Sequence, residues 1–319
     1  MKPVQAITTL HLYPQGSPRR RLFALWYFAT LITVWWIAGL AVLGFEQSVA
    51  HFVVGAVTSM TLQIVLLWIH STTHGVQPPF AGGIKNFINV LVPAYIPGIA
   101  CAMLTYPNER LWPTAFAAAV AICSKAIFRA PLAGGSQHVF NPSNFGVTAT
   151  LLLFPSVGLA PPYQFTEKIT GVWDWVLPGI VLTTGIIIHS VATGRLPLVL
   201  AWLGGFVLQG VVRSLFFGAP WLVPMVPMTS AAFILFTLYM IPDPATTPLR
   251  PGSQVLFGLA VAALYGVLQV SHVMFGLFIS LVVICALRGI WLYLSKTLKT
   301  SQPSLQTVSA TPAMQTGKG

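Results

Sequence analysis

The sequence is short of charge and shorter still of acid. Only 7% of its 319 residues are Asp, Glu, Lys or Arg, and five in total are Asp or Glu. A soluble domain carries about 25% charge. So few ions cannot cover a water-facing surface, which excludes an ordinary soluble enzyme. Cysteine is equally scarce: Cys101, Cys123 and Cys285 lie inside apolar runs without CxxC spacing. That excludes a disulfide framework or a cysteine metal cage and reads as buried free thiols. Also missing is any Lys/Arg-rich stripe with interleaved aromatics, so the net charge of +11 does not point to nucleic acid. No loop between apolar runs reaches twenty residues, too few for a core of its own.

What is present is apolar. Hydrophobic residues make up 55% of the chain and mean hydropathy is +0.79. The runs are uninterrupted and about twenty residues long, the length of a membrane-crossing helix, whereas barrel strands alternate over about ten. The fold class is therefore an all-α polytopic membrane protein with the lipid bilayer as its partner. Candidate spans are 22–44, 49–69, 87–106, 111–128, 144–160, 173–192, 196–217, 221–241, 253–271 and 273–294, about ten transmembrane helices. Nine is the alternative, because no clear turn separates the last two. Residues 1–21 read as a cytoplasmic N-terminal segment, 22–294 as the transmembrane helical domain and 295–319 as a disordered cytoplasmic tail. The run after Arg19-Arg20-Arg21 is too long for a signal-peptide core and reads as a retained first helix.

Ten helices put both termini on one side, and the cations choose which. With the termini inside, twelve Lys and Arg fall on the inner side (residues 2, 19, 20, 21, 85, 125, 129, 195, 250, 296, 299 and 318). Only Arg110, Lys168 and Arg213 fall outside, and Arg288 lies within the last helix. Because cytoplasmic loops collect Lys and Arg, both termini are expected in the cytoplasm and the protein in the plasma membrane. Trp and Tyr near the predicted ends read as interfacial anchors.

Three polar stretches interrupt the apolar pattern on the expected inner side. In HSTTHGVQPPFAGGIKN, His70 and His74 share a helix face at i, i+4. That spacing suits a metal pair, but no carboxylate or cysteine lies near, and the pair reads as interfacial histidines. In GGSQHVFNPSNFG, residues 134–146, Asn141 is a good N-cap and Pro142 a good first helical residue. A helix starting there turns its positive end and free N–H groups inward and suits an anion such as a flavin phosphate. The same geometry is equally that of a capped re-entry loop. IPDPATTPLRPG, residues 241–252, fixes a rigid connection through Pro242, Pro244, Pro248 and Pro251. Asp243 within it is either an Asx-type turn residue or a site residue paired with Arg250 or Lys125. Lys125 and Arg288 can snorkel to the inner interface. Gln63 and Gln209 should bond between helices.

SKAIFR…GGSQHVFNPSNFG, RLPL…WLGG and YMIPDPATTPLRPGSQVLFG resemble, in order, segments of a redox family. Its members are the multi-pass, FMN-bearing membrane proteins of the sodium-translocating NADH:quinone reductase and of the Rnf electron-transport complex. A resemblance over nearly the whole chain is to the UnbU-type membrane proteins of enediyne antibiotic gene clusters. It is carried by VLGFEQS, GGSQHVFNPSNFG, LLLFPSVGLAPPYQFTE, TGRLPLVLAWLGGF, DPATTP and HVMFGLF. This likeness implies a bundle of two related halves. It also implies electron transfer between a redox or biosynthetic protein partner and a quinone, possible oxidoreductase chemistry, and a site of Lys125, Asn141, Asn144, Asp243, Thr247 and Arg250. The electron-transport relatives attach FMN to threonine in a Ser/Thr-Gly-Ala-Thr motif. Here PPYQFTEKITGVWD offers Thr166 and Thr170 without that motif, and Ser190-Val-Ala-Thr193 is misplaced. A noncovalent flavin or quinone is therefore expected rather than covalent FMN. Export of a pathway product or precursor, and a non-catalytic anchor for soluble enzymes, are the alternative functions.

Overall fold

The computed structural model describes residues 18–132, 135–161 and 168–300. Thr166 and residues 301–319 of the expected tail lie outside the described residues. The order is α1 (Pro18–Ala38), α2 (Val49–His74), α3 (Ile84–Leu104), α4 (Trp112–Ile127), α5 (Pro142–Leu153), α6 (Trp173–Ile187), α7 (Leu196–Phe216), α8 (Ala231–Leu235), α9 (Pro251–Val270) and α10 (Gly276–Thr300). Three of these continue as wide π turns: α1 into Gly39–Leu43, α6 into Ile188–Thr193 and α8 into Phe236–Met240.

Among the described residues, seven helices are long and apolar enough to cross a membrane. There are eight if Val223–Thr229 and Phe233–Met240, bent by 78°, form one broken span. The architecture is therefore a polytopic helical membrane protein. The expected fourth and fifth spans are shorter than a full crossing: α4 has 16 residues and α5 has 12. The ninth and tenth are separate helices. Their turn at residues 271–275 is made by His272 and Phe275 at φ 55° and 58° rather than by glycine. Helix α10 continues to Thr300, beyond the expected boundary at 294.

Two short antiparallel ladders mark opposite ends of the α4–α5 pair. Strand β1 (Thr105–Tyr106) pairs with β4 (Gly158–Leu159), joining the end of α3 to the segment after α5. Strands β2 (Arg129–Leu132) and β3 (Gly135–His138) form the hairpin that turns α4 into α5. Helices approach closely where side chains are small. Gly55 of α2 faces Gly98 of α3, Gly146 of α5 meets the Ala117 carbonyl of α4, and Gly258 of α9 meets the Leu198 carbonyl of α7. Without a hydrophobic force between helices in lipid, such contacts and interhelical hydrogen bonds hold the bundle.

Two cores result. One gathers Trp202, Phe206, Phe233, Phe236, Tyr265 and Phe278 around α7, α9 and α10. The other gathers Trp35, Phe52, Ile99 and Leu177 from α1, α2, α3 and α6. Apolar side chains also cover the outside, with Leu200, Leu208 and Leu215 of α7 all more than half exposed. Large apolar surface of this kind belongs against lipid.

Candidate functional site

The residues of the candidate site come from helix ends, so their chemistry begins with unpaired backbone groups. Asn141 caps α5: its Oδ1 accepts from the Asn144 N–H at 3.0 Å and from Ser143 Oγ at 2.9 Å. Its Nδ2 points the other way. It donates to the Met240 carbonyl at 3.3 Å and to Asp243 Oδ2 at 3.4 Å. FNPSN and DPATTP, distant in sequence, therefore meet at one hydrogen-bonded pair. Replacing Asn141 by Ala removes the cap and both bridging bonds. It is expected to cost about 2 kcal/mol in thermal unfolding of the detergent-solubilised protein. Asn141→Asp should keep the cap but set a carboxylate oxygen against the Met240 carbonyl and Asp243, and so recover little of the loss.

Asp243 is an Asx-type turn residue: Oδ1 accepts from the Ala245 N–H at 3.0 Å, and Oδ2 from Thr246 Oγ1 at 3.3 Å. Among the described residues, no hydrogen bond or ion pair joins it to Arg250 or Lys125. Thr247 donates to the Asp243 carbonyl at 2.6 Å. The loop is held down by two arginines from other helices. Arg195, 3% exposed, donates through Nε to Thr247 Oγ1 at 2.9 Å and through Nη2 to the Pro244 carbonyl at 3.2 Å. Arg288 donates to the Thr246 carbonyl at 3.0 Å, so it turns into the protein instead of snorkelling. Gln254, 1% exposed, ties the Gly194 and Leu249 carbonyls together at 3.2 and 3.1 Å.

Asn144 lies beneath this cluster, where Nδ2 donates to the Phe278 carbonyl of α10 at 3.1 Å and Oδ1 is left without a partner. Arg250 is exposed and precedes α9, and only its backbone carbonyl takes part, accepting from Gln254 N–H at 3.0 Å. Lys125 is engaged elsewhere. Its Nζ donates to the Pro93 carbonyl at 3.1 Å. The reason is covalent: Pro97, four residues on in α3, has no N–H to offer that carbonyl. Lys125 supplies the bond the helix lacks.

Asp243 is close enough for its negative charge to act on Lys125, His138 and Arg195. Burial pushes the His138 imidazole below its ordinary pKa; Asp243 opposes this, while Lys125, Arg129 and Arg21 add to it. One acid thus sits among several cations at this end of the molecule.

The structure brings Asn141, Asp243 and Thr247 into one network, places Asn144 directly below, and leaves Lys125 and Arg250 at its margins. Sequence reasoning missed Arg195 and Thr246 as partners of the loop, and also His189. The His189 Nε2 bonds the Leu238 carbonyl, one of the unpaired acceptors at the end of the Phe236–Met240 turn. The signal for Arg195 was its place in RLPL, directly before a helix. Gln209 bonds within its own helix, to the Phe206 carbonyl at 2.8 Å, rather than across to a neighbour. The rings of His70 and His74 lie 4.2 Å apart between centroids, tilted by 33°, and both residues are exposed. No protein-family model and no curated protein matches the chain.

Proposed function

We propose that the chain is a membrane electron-transfer protein serving enediyne biosynthesis, related to the flavin- and quinone-handling membrane proteins that its motifs resemble. The observation that supports this reading is the Asn141–Asp243 contact, which unites the two resembling segments around one helix start. Residues 102 apart in sequence and unremarkable singly share a single hydrogen-bond network. Such irregular backbone is tolerated at membrane depth only where protein or a wet cavity surrounds it.

The donor set fits a noncovalent flavin or quinone in part. Most of its capacity is already used: Asn141, Asp243 and Thr247 bond one another and the loop, and Lys125 bonds α3. The unpartnered Asn144 Oδ1 and the exposed Arg250 guanidinium are the groups left for a ligand. In this reading Arg250 holds a phosphate or carbonyl oxygen, Asn144 offers an acceptor, and the others keep the two segments in place. A bound flavin or quinone supplies the electron-accepting ring. The chain supplies binding, orientation and exclusion of water.

The reading includes ten crossings arranged as two related halves, with both termini in the cytoplasm. Arg195, Arg288 and the 241–250 loop gather at one end through the contacts above, which suits the positive-inside rule. It also includes a soluble redox or biosynthetic partner at that end.

The test is an absorbance spectrum of the detergent-purified protein before and after acid precipitation. Flavin or quinone released by acid, and reduced several-fold in Arg250→Ala, is the expected result. Flavin kept in the pellet would mean a covalent threonine. A folded sample with no cofactor in either fraction would overturn the electron-transfer reading in favour of export or anchoring, which uptake into proteoliposomes separates.

A further inference from the structure

A second feature lies away from the polar network, between α1, α2 and α3. Helices α1 and α3 run parallel: Trp26 Nε1 donates to Asn89 Oδ1 at 3.0 Å, and further along both helices Thr33 Oγ1 lies 2.8 Å from Tyr95 Oη. The two helices pack together along this length. A groove of about 410 Å3 remains, lined by Trp26, Thr30, Thr33, Met60, Ile88 and Tyr95 among others. That volume falls in the range of small-molecule sites, about 300–1,000 Å3. Two of its hydroxyls, those of Thr33 and Tyr95, bond each other, and most of the remaining lining is apolar.

The helix ends leading to the groove carry cations. Arg19 lies two turns before Trp26 on the same face of α1, and Lys85 lies one turn before Ile88 and Asn89 on α3. Both are exposed. The first acid in the chain is Glu46 and the next is Glu109, so neither α1 nor α3 carries a carboxylate that could neutralise them. Because both helices run in the same direction from this end, their positive dipole ends face the same layer.

We propose that this groove holds an acyl chain of an anionic phospholipid whose headgroup rests on Arg19 and Lys85. The bilayer supplies the chain from the side, and the helix starts supply the charge complement where a headgroup lies. The Trp26–Asn89 bond forms the sill between the two, with the indole at the level where amphipathic rings collect. The proposal is independent of the electron-transfer reading, since none of these residues belongs to the polar network.

Native mass spectrometry of the full-length protein taken from nanodiscs containing equal phosphatidylglycerol and phosphatidylcholine tests it. The expected result is one retained lipid with roughly tenfold preference for phosphatidylglycerol, since each cation near a headgroup favours it severalfold. Lys85→Gln should lower the preference to about threefold while keeping the occupancy. Thr30→Trp, which places an indole in the groove from an exposed position, should abolish retention of both. Val34→Trp is the second filler should the first disturb folding. Equal retention of the two lipids by the unaltered protein, or undiminished phosphatidylglycerol in both filled variants, would overturn the proposal.

Discussion

Arg195→Ala is expected to cost about 3–5 kcal/mol and to lower the thermal midpoint in detergent by about 5–10 °C. Arg195 is 3% exposed, and its two described bonds go to neutral acceptors, Thr247 Oγ1 and the Pro244 carbonyl. Hydrogen bonds from a charged donor are worth about 1.5–3 kcal/mol each. Truncation also leaves the Thr247 hydroxyl, on a residue 2% exposed, without this donor. Thr247 links the arginine onward to the Asp243 carbonyl, so loosening one end of this chain loosens the loop. Arg195→Lys should restore only part of the loss, because an ammonium cannot reach two acceptors with a planar fork. A midpoint for Arg195→Ala within about 2 °C of the unaltered protein would show that the loop does not depend on this clamp.

Gly98→Ala and Gly204→Ala should change stability in opposite directions. A Cβ on Gly98 would lie 2.5 Å from the Gly55 carbonyl oxygen and 2.3 Å from Ser59 Oγ. The serine could turn aside, but the carbonyl belongs to the backbone of α2. The two helices must therefore separate and lose contacts along their crossing, a cost of about 1–3 kcal/mol, rising further for Gly98→Val. Gly204 is also mid-helix, but a Cβ there meets nothing within 4 Å. Its replacement by Ala should be neutral or stabilising by up to about 1 kcal/mol through reduced backbone freedom in the unfolded chain. Circular-dichroism melts of the two variants in one detergent compare them directly. Equal losses would show that the effect is general helix perturbation rather than the α2–α3 contact.

The sequence made much of this organisation legible because lipid permits few backbone solutions. Apolar runs located the long helices, and the clustering of proline and asparagine located the breaks between them. Asn141 was readable as a cap because a short side-chain acceptor next to proline has few other uses. The meeting of Asn141 with Asp243 was expected only as a shared location, since no periodicity connects residues so far apart. The Lys125–Pro93 bond was hidden in another way. Pro97 announces an unpaired carbonyl, but which residue answers it depends on how α3 and α4 pack. The turn between α9 and α10 escaped notice because His272 and Phe275 occupy left-handed backbone that glycine or asparagine normally marks. Arg288 was assigned to the interface by its distance from the helix end, whereas its rotation about α10 points it at Thr246.

The brevity of α5 has an electrical consequence. Twelve residues rise about 18 Å, against about 30 Å for the hydrocarbon core of a typical bilayer. Where water or polar groups reach both ends of such a helix, the insulating layer is locally thin, and the whole membrane voltage falls across that shorter distance. The gradient along α5 is then about 1.7 times that along a full-length neighbour. A charge displaced by a given distance beside α5 would exchange correspondingly more work with the membrane potential than one displaced equally far beside α2 or α7.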